Sequence, residues 1–186
     1  MRIHKQLGKE TVNTFSRKVK ILAERMRGID FSTVIQPEEI GFDPEKITHS
    51  SPSGNKYLTN LLDDLDVTER DSILDIGSGK GSAIQTMLKY PFSKVDGVEL
   101  SNYLAVVATQ NFKKLNMERT QIFNCDATSF KNFGNYNIFY LYNPFPYEIM
   151  VKVINSIYIS VKDPNKEIRL IYNNPVCHDA IINQGF

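Results

Sequence analysis

The 186 residues are enough for one domain with a sizeable core. Hydrophobic residues make up 41% and charged residues 23%, as in ordinary globular proteins. No apolar run reaches the roughly 20 residues that a membrane-spanning helix needs, and no apolar segment follows the basic amino terminus, so we expect neither a membrane anchor nor a secretory signal. Cys125 and Cys177 lack metal-ligand spacing, which favours a reduced, cytoplasmic location and predicts no metal site.

The net charge of +1 hides an asymmetry between the two ends of the chain. Residues 1–27 hold eight Lys and Arg but only two acids, whereas the remainder holds 14 basic and 19 acidic residues. Two interpretations are open: a basic arm that contacts an anionic substrate or nucleic acid, and a solvated helix face. We favour the solvated face.

Apolar residues at helical spacing predict an amphipathic helix of about fifteen residues in that arm, ended by Gly28. Its apolar stripe needs a partner surface on the body of the domain or on another copy; the stripe is Val12, Phe15, Val19, Leu22 and Met26. Residues 29–53, here called the connector, are broken by prolines but too apolar for a free linker. A helix is predicted next, over residues 52–65.

Strands and helices then alternate to the end of the chain. The predicted strands are residues 73–76, 94–100, 121–125, 136–142 and 168–172, and the predicted helices are 82–90, 101–115 and 147–161. This order predicts an α/β fold, a three-layer α/β/α sandwich with a mainly parallel, doubly wound sheet. We divide the chain into an N-terminal part, 1–66, and a core, 67–186.

A glycine-rich turn follows the first of these strands. Asp75 precedes Gly77, Ser78, Gly79 and Gly81 in the spacing Asp-x-Gly-x-Gly-x-Gly. Backbone without Cβ lets a ligand approach closely, and the carboxylate favours a cationic ligand over a pyrophosphate. The spacing also differs from the Gly-x-Gly-x-x-Gly of dinucleotide sites.

Two acids end the next two strands. A carboxylate at Glu99 is placed to accept hydrogen bonds from vicinal ribose hydroxyls, and Asp126 to accept from the exocyclic amine of adenine. Leu100 and Ala127 would form apolar walls for the ring. Each acid alone is an ordinary strand-end residue; their joint occurrence in this order favours a nucleoside site.

Residues 74–81, 98–100 and 125–127 together resemble the three cofactor motifs of class I (Rossmann-like) S-adenosylmethionine-dependent methyltransferases, closest to bacterial members of undefined substrate. The resemblance covers about residues 72–175. It implies S-adenosyl-L-methionine as cofactor, S-adenosyl-L-homocysteine as product, and nine cofactor-binding residues. These are Asp75, Gly77, Ser78, Gly79, Gly81, Glu99, Leu100, Asp126 and Ala127.

The segment after the fourth strand is expected to face the methyl acceptor. Asn143, Pro144 and Phe145 resemble the Asn-Pro-Pro-Tyr motif of amino-group methyltransferases, with Phe145 in place of the second proline. The alternative is a simple strand terminator, which a second Asn-Pro pair at 174–175 supports. His178 and His49 are the general-base candidates.

The resemblance therefore implies methyl transfer to an oxygen or nitrogen nucleophile of a small molecule or glycan precursor. Two alternatives stay open: an amine of RNA, DNA or protein, and a non-catalytic cofactor-binding or scaffold protein. Class I members usually add sixth and seventh strands, so this chain is either a minimal five-stranded form or a fragment. We expect weak stability or self-association, through the N-terminal helix or the edge of the fifth strand.

Overall fold

The computed structural model describes residues 14–42, 51–160 and 167–182. Predictions that involve Val12, the Phe15 side chain, His49 and residues 184–186 lie outside the described part. The helices are α1 (Thr14–Met26), α2 (Lys56–Asp63), α3 (Ser82–Met87), α4 (Asn102–Lys114), α5 (Tyr147–Ser160) and α6 (His178–Ile182). The strands are β1 (Ser72–Ile76), β2 (Lys94–Glu99), β3 (Ile122–Asn124), β4 (Ile138–Tyr142) and β5 (Arg169–Asn173).

The five strands form one parallel sheet in the order β3-β2-β1-β4-β5. The chain runs outward from β1 through β2 to β3, then returns to the other side of β1 for β4 and β5. The order therefore reverses between β1 and β4, and a crevice opens there at the carboxyl ends of the strands. The predicted α/β fold class is confirmed.

Successive strand residues point into two different apolar clusters, one on each face of the sheet. Phe139 and Leu141 of β4 pack in the cluster that includes α5 and α6, whereas Ile138 and Tyr140 pack with α2, α3 and α4. This period of two is what a strand buried on both faces requires. The connector joins the second cluster through Ile29 and Phe31, which are both buried.

Most predicted elements are present, with ends shifted by a few residues. The start of α4 is as predicted, because the Ser101 side chain accepts a hydrogen bond from the Leu104 N–H and caps the helix. The helix α6 was not predicted, since five residues are too few for a periodic signal. Among the described residues, three short 3-10 helices were also not predicted: Pro37–Ile40, Ala127–Ser129 and Phe133–Asn135.

The helix α1 buries one acidic residue, Glu24, and leaves the described part of its apolar stripe exposed. Glu24 is buried and accepts hydrogen bonds from the backbone N–H groups of Phe31 and Ser32, both at 3.0 Å. The apolar side chains of Val19, Leu22 and Met26 are 52%, 61% and 83% exposed. The described body of the domain therefore does not supply the partner surface that this stripe was predicted to need. Among the described helices, none combines the length and apolar character needed to cross a membrane.

Candidate functional site

A cleft of about 770 Å³ lies at the carboxyl ends of the strands. One part of the lining, here called the strand-end wall, consists of residues at or just after the ends of β1, β2 and β3. The rest of the lining, here called the outer wall, consists of connector residues and of residues at or after the end of β4. The connector contributes Ile35, Pro37, Ile40, Phe42, Ser51 and Ser53 to the outer wall, and residues 142 and 144–149 supply the rest.

The glycine turn after β1 is folded tightly against the outer wall. Gly77 has a φ of 82°, in the region that favours glycine, and a Cβ added there would lie 2.5 Å from Cβ of Pro144. The turn is anchored to β2, because the N–H groups of Gly77 and Ser78 both donate to the Val98 carbonyl. Gly77, Ser78 and Gly79 line the cleft. Gly81 does not: a Cβ there would meet the Phe112 ring at 2.4 Å, so it serves packing.

Glu99 connects the glycine turn to the start of α4. It is only 7% exposed, and its carboxylate accepts hydrogen bonds from the N–H groups of Gly79 and Ser101, both at 2.8 Å. Burial raises the pKa of Glu99, and these N–H donors oppose the rise. A carboxylate has about four acceptor sites, so two bonds leave capacity for ligand hydroxyls on the side that lines the cleft.

The residues after β3 form the far end of the strand-end wall. Asp126 is exposed, and its Oδ1 accepts from the N–H and the hydroxyl of Thr128 at 2.8 and 2.7 Å. These two hydrogen bonds cap the 3-10 helix Ala127–Ser129 and hold the Asp126 carboxyl group at the cleft. Ala127 is buried and Leu100 is 44% exposed, and both line the same end. The predicted apolar faces for a ring therefore lie beside Asp126.

Asp75 lies beneath the turn rather than in the cleft lining. It is 1% exposed, and its Oδ2 has no hydrogen-bond partner among the described residues. Burial, with a smaller contribution from the Glu99 charge, raises the pKa of Asp75 to about 8. The Ser78 hydroxyl is also buried without a partner in the described structure, and Ser78 does line the cleft. The Ser78 Oγ faces Gly97 of β2, where an added Cβ would lie 2.6 Å from it, so this hydroxyl is turned towards the sheet rather than into the cleft.

The predicted acceptor residues divide into two groups. Pro144 and Phe145 line the outer wall. Asn143 does not; it has a φ of 42°, and its side-chain oxygen accepts a 3.2 Å hydrogen bond from the Tyr172 hydroxyl. His178 begins α6 and is half-buried, and it is also absent from the cleft lining.

The connector is fastened to the glycine turn by Lys80. The side chain of Lys80 is 3% exposed, and its ammonium lies 2.7 Å from Oδ2 of Asp30 and also contacts the Thr33 hydroxyl. Asn111 adds to this link, because its side chain hydrogen-bonds both the N–H and the carbonyl of Asp30 and the carbonyl of Lys80. The two walls of the cleft are therefore tied together at the turn.

These residues fit S-adenosyl-L-methionine as a class of ligand. The strand-end wall offers a glycine turn for close backbone approach, a buried carboxylate for ribose hydroxyls, and an acid flanked by apolar faces for adenine. The described lining contains no lysine, arginine or histidine that would bind a pyrophosphate. Within residues 14–42, 51–160 and 167–182, no group of three or more potential metal ligands is present.

Comparison with known proteins gives the same assignment. The sequence profile of the "Protein-L-isoaspartate(D-aspartate) O-methyltransferase (PCMT)" family matches residues 22–143, which is more than half of the chain. The chain belongs to the PCMT family. This membership confirms the predicted resemblance to class I S-adenosylmethionine-dependent methyltransferases, a group whose cofactor is S-adenosyl-L-methionine.

Individual relatives agree with this PCMT-family assignment. The rRNA adenine N-6-methyltransferase of Lysinibacillus sphaericus is 30% identical over 101 residues, which cover 54% of this chain and 40% of the relative. This chain therefore spans less than half the length of that relative. A SAM-dependent methyltransferase from Geobacter sulfurreducens, solved with S-adenosyl-L-homocysteine, superposes with a TM-score of 0.50 at 17% identity, covering 62% of this chain and 48% of that one.

A second structure, an RNA methyltransferase from Salinibacter ruber in complex with S-adenosyl-L-homocysteine, has a TM-score of 0.50 at 18% identity and covers 59% of this chain and 70% of that one. At such identities these two structures support the fold of the PCMT-family chain.

The connector's part in the cleft was not predicted. The signal available in the sequence was its apolar composition, which marked an ordered segment but not its location. The Asp30–Lys80 link was also missed, because the two residues are 50 positions apart and follow no recognised motif. A pair this far apart in sequence can be identified only from the fold, which brings the connector against the glycine turn.

Proposed function

We propose that this chain binds S-adenosyl-L-methionine in the cleft and transfers its methyl group to an oxygen or nitrogen of a small molecule or glycan precursor. One observation carries the proposal: the glycine turn, Glu99 and Asp126 line the same cleft as Pro144 and Phe145. The proposed cofactor residues and this largely apolar surface thus share one space of about 770 Å³. That volume lies within the roughly 300–1,000 Å³ range of ligand pockets.

The residues have separate tasks in this proposal. Glu99 accepts hydrogen bonds from the ribose, Asp126 from the adenine amine, and the glycine turn holds the methionine part. When bound, the cofactor supplies an activated methyl: the acceptor's lone pair forms the new bond, the sulfur keeps the electrons of the broken C–S bond, and the acceptor's proton leaves to solvent. The outer wall has only to align the acceptor and exclude water.

Calorimetric titration with S-adenosyl-L-homocysteine tests the binding step. We expect saturable binding by the wild type. In Glu99→Gln the affinity should fall by about 10- to 100-fold, because the two hydrogen bonds that the ribose hydroxyls donate lose their charged acceptor. Glu118→Gln makes the same chemical change at an exposed position outside the cleft and should bind normally. Absence of binding by the wild type at millimolar ligand would contradict the proposal.

Transfer of a radiolabelled methyl group tests the second step. Incubation with labelled S-adenosyl-L-methionine and panels of hydroxyl- and amine-bearing small molecules should label at least one panel. Binding of the cofactor without labelling of any panel would instead support the non-catalytic alternative.

An amine of RNA is the second candidate acceptor. It is favoured by the similarity to the rRNA adenine N-6-methyltransferase and by the basic residues 1–27. Against it, the Asn143 side chain is engaged with Tyr172 in this structure. Binding of a stem-loop RNA should then fall steeply, by about 10³-fold or more, between 50 and 200 mM salt. No affinity at low salt would remove this candidate.

A further inference from the structure

The helix α1 carries an apolar surface that the described body of the domain leaves uncovered. Val19, Leu22 and Met26 are the described residues of its apolar stripe, and each is more than half exposed. Their spacing of three and four residues places them on one side of the helix. A continuous apolar stripe, unlike scattered single residues, marks an interaction surface.

Basic residues border this stripe on both sides. Because each helical residue is rotated by about 100° from the one before it, Lys18 and Arg25 lie along one edge of the stripe and Lys20 lies along the other. Arg27 follows directly after the end of the helix. All four basic residues are exposed. The borders of the stripe are therefore positively charged.

The side of α1 that lies opposite the stripe is fixed to the connector. Glu24, the only acid within the helix, is buried and accepts hydrogen bonds from the N–H groups of Phe31 and Ser32 at 3.0 Å. The Ser32 hydroxyl donates a further hydrogen bond to Glu24 at 2.6 Å. Since this carboxylate is engaged with the body of the domain, the charges that α1 exposes are all positive.

The stripe and its borders together indicate the chemistry of the partner. A second copy of the chain would bring like charges together along the borders, which opposes pairing. A nucleic acid would pair with the basic residues but would leave the apolar side chains without a partner. A bilayer surface that contains anionic lipids satisfies both groups, because apolar side chains enter the acyl boundary while Lys and Arg side chains extend to the lipid phosphates.

We infer that α1 lies on the surface of membranes that contain anionic lipids, with its stripe in the interface and its basic borders at the headgroups. Such a helix rests on a bilayer and does not cross it, in agreement with the absence of a spanning helix among the described residues. Because Glu24 fixes α1 to the connector, binding through α1 would bring the domain to the surface. The inference does not rest on the proposed function, since it uses no residue that lines the cleft.

Co-sedimentation of the full chain with lipid vesicles provides the test. Vesicles of phosphatidylcholine alone are compared with vesicles that also contain anionic phosphatidylglycerol. We expect binding to the anionic vesicles to be about tenfold stronger or more, because each Lys or Arg near an anionic surface strengthens binding by about fivefold. Raising the salt concentration from about 0.1 to about 1 M should remove most of this difference, since the Debye length falls from about 10 to about 3 Å.

Variants test the stripe and its borders separately. Leu22→Ser should lower the affinity for anionic vesicles by about tenfold, because a leucine side chain is lost from the interface. The double variant Lys18→Gln/Arg25→Gln should lower it by about 25-fold, at about fivefold for each charge. Val176→Ser and Lys152→Gln make comparable changes at exposed positions outside α1 and should bind as the wild type does.

The other possible partners give different results, and each of these results would overturn the inference. No binding to vesicles, or equal binding to neutral and anionic ones, would exclude a role for anionic lipid. Binding of a stem-loop RNA without binding of vesicles, weakened by Lys18→Gln/Arg25→Gln but not by Leu22→Ser, would assign α1 to nucleic acid.

Two further measurements separate contacts of the chain with itself. A dimer in sedimentation velocity that Leu22→Ser dissociates, without binding of vesicles, would assign the stripe to a second copy and overturn the inference. A fall of several degrees in the melting temperature of Leu22→Ser would show that the chain itself covers the stripe, which would also overturn it. We expect the melting temperature of this variant to equal that of the wild type.

Discussion

The two walls of the cleft are built by different means. The strand-end wall places its polar groups on the ends of paired strands, where backbone N–H groups hold them; Glu99 is fixed by Gly79 and Ser101 in this way. The outer wall is apolar and is formed by the connector and the segment after β4. Under the proposed function, the contrast teaches that cofactor recognition is tied to the sheet itself, whereas acceptor recognition depends on the connector and on the segment after β4.

A substitution at the point where the two walls touch should have the largest effect on stability. In Gly77→Ala the new Cβ would lie 2.5 Å from Pro144, and the residue would keep a φ of 82°. We expect a loss of about 4 kcal/mol in the free energy of unfolding, together with a large loss of S-adenosyl-L-homocysteine affinity. Denaturant titration and calorimetry measure the two effects.

Gly41→Ala is the matched control for this change. Gly41 has nearly the same φ, 78°, but nothing lies within 4 Å of its added Cβ. It should cost only about 1 kcal/mol, for backbone strain alone. Equal losses in the free energy of unfolding for the two variants would mean that contact between the walls contributes nothing to stability.

A buried acid beneath the strand-end wall should make stability depend on pH. The pKa of Asp75 is raised from 3.8 to about 8, so the folded chain holds this proton more tightly than the unfolded chain. Its contribution is fully present below about pH 4 and is lost as the pH rises towards about 8. Asp75→Asn removes this dependence, and we expect a gain of about 2 kcal/mol at pH 8, after the cost of burying an amide.

Unfolding of wild type and Asp75→Asn at several pH values provides the measurement. The wild type should lose stability relative to the variant across this range. A constant difference between them from pH 4 to 8 would show that Asp75 is already ionised in the folded protein at the low end.

Breaking the Asp30–Lys80 link between the walls should have a smaller effect on stability. Asp30→Asn leaves the buried Lys80 ammonium without its counter-charge, although about a third of the Asp30 side chain is exposed. Burial raises the pKa of Asp30, but the hydrogen bonds from Lys80 and Thr33 outweigh it and keep the pKa below its ordinary value. We expect a loss of about 1–2 kcal/mol in denaturant titration.

The exposed ion pair of Arg169 and Glu167 is the comparison for this link. The Glu167 side chain is 70% exposed, so Glu167→Gln should cost less than about 0.5 kcal/mol. If Asp30→Asn costs no more than this surface variant, the ion pair contributes nothing measurable, and the connector is held by its apolar contacts and by its hydrogen bonds to Glu24 and Asn111.

A substitution on α1, which lies outside both walls, should have the smallest effect on stability. Leu22→Ser removes a side chain that is 61% exposed, so stability should change by less than about 0.5 kcal/mol. Sedimentation measurements at increasing concentration would show whether the same change weakens self-association through the stripe. A large loss of stability would mean that Leu22 is covered by contacts within the chain.

The same contrast explains what the sequence could predict. The strand-end wall follows short, local patterns: apolar strands, glycines at alternate positions, and acids directly after Val98 and Cys125. The fold and the cofactor class were therefore predictable. The placement of Asp75 below the turn, of Gly81 against Phe112 and of Asn143 towards Tyr172 was not, because each depends on a side chain distant in the chain.

The outer wall was less predictable for a related reason. The apolar residues of the connector, such as Ile35 and Phe42, indicate burial but not a location. His178 was chosen because it follows a strand, yet α6 begins at that residue and it lies outside the cleft lining. Whether a residue after a strand faces the ligand depends on the local turn, which a single sequence does not reveal.

A crystal structure of the chain with S-adenosyl-L-homocysteine tests the central claim most directly. The ribose hydroxyls should contact Glu99, the adenine should lie beside Asp126 between Leu100 and Ala127, and the sulfur should face Pro144 and Phe145 across the cleft. A ligand bound elsewhere, or a ribose that makes no contact with Glu99, would contradict the assignment of the strand-end wall to the cofactor.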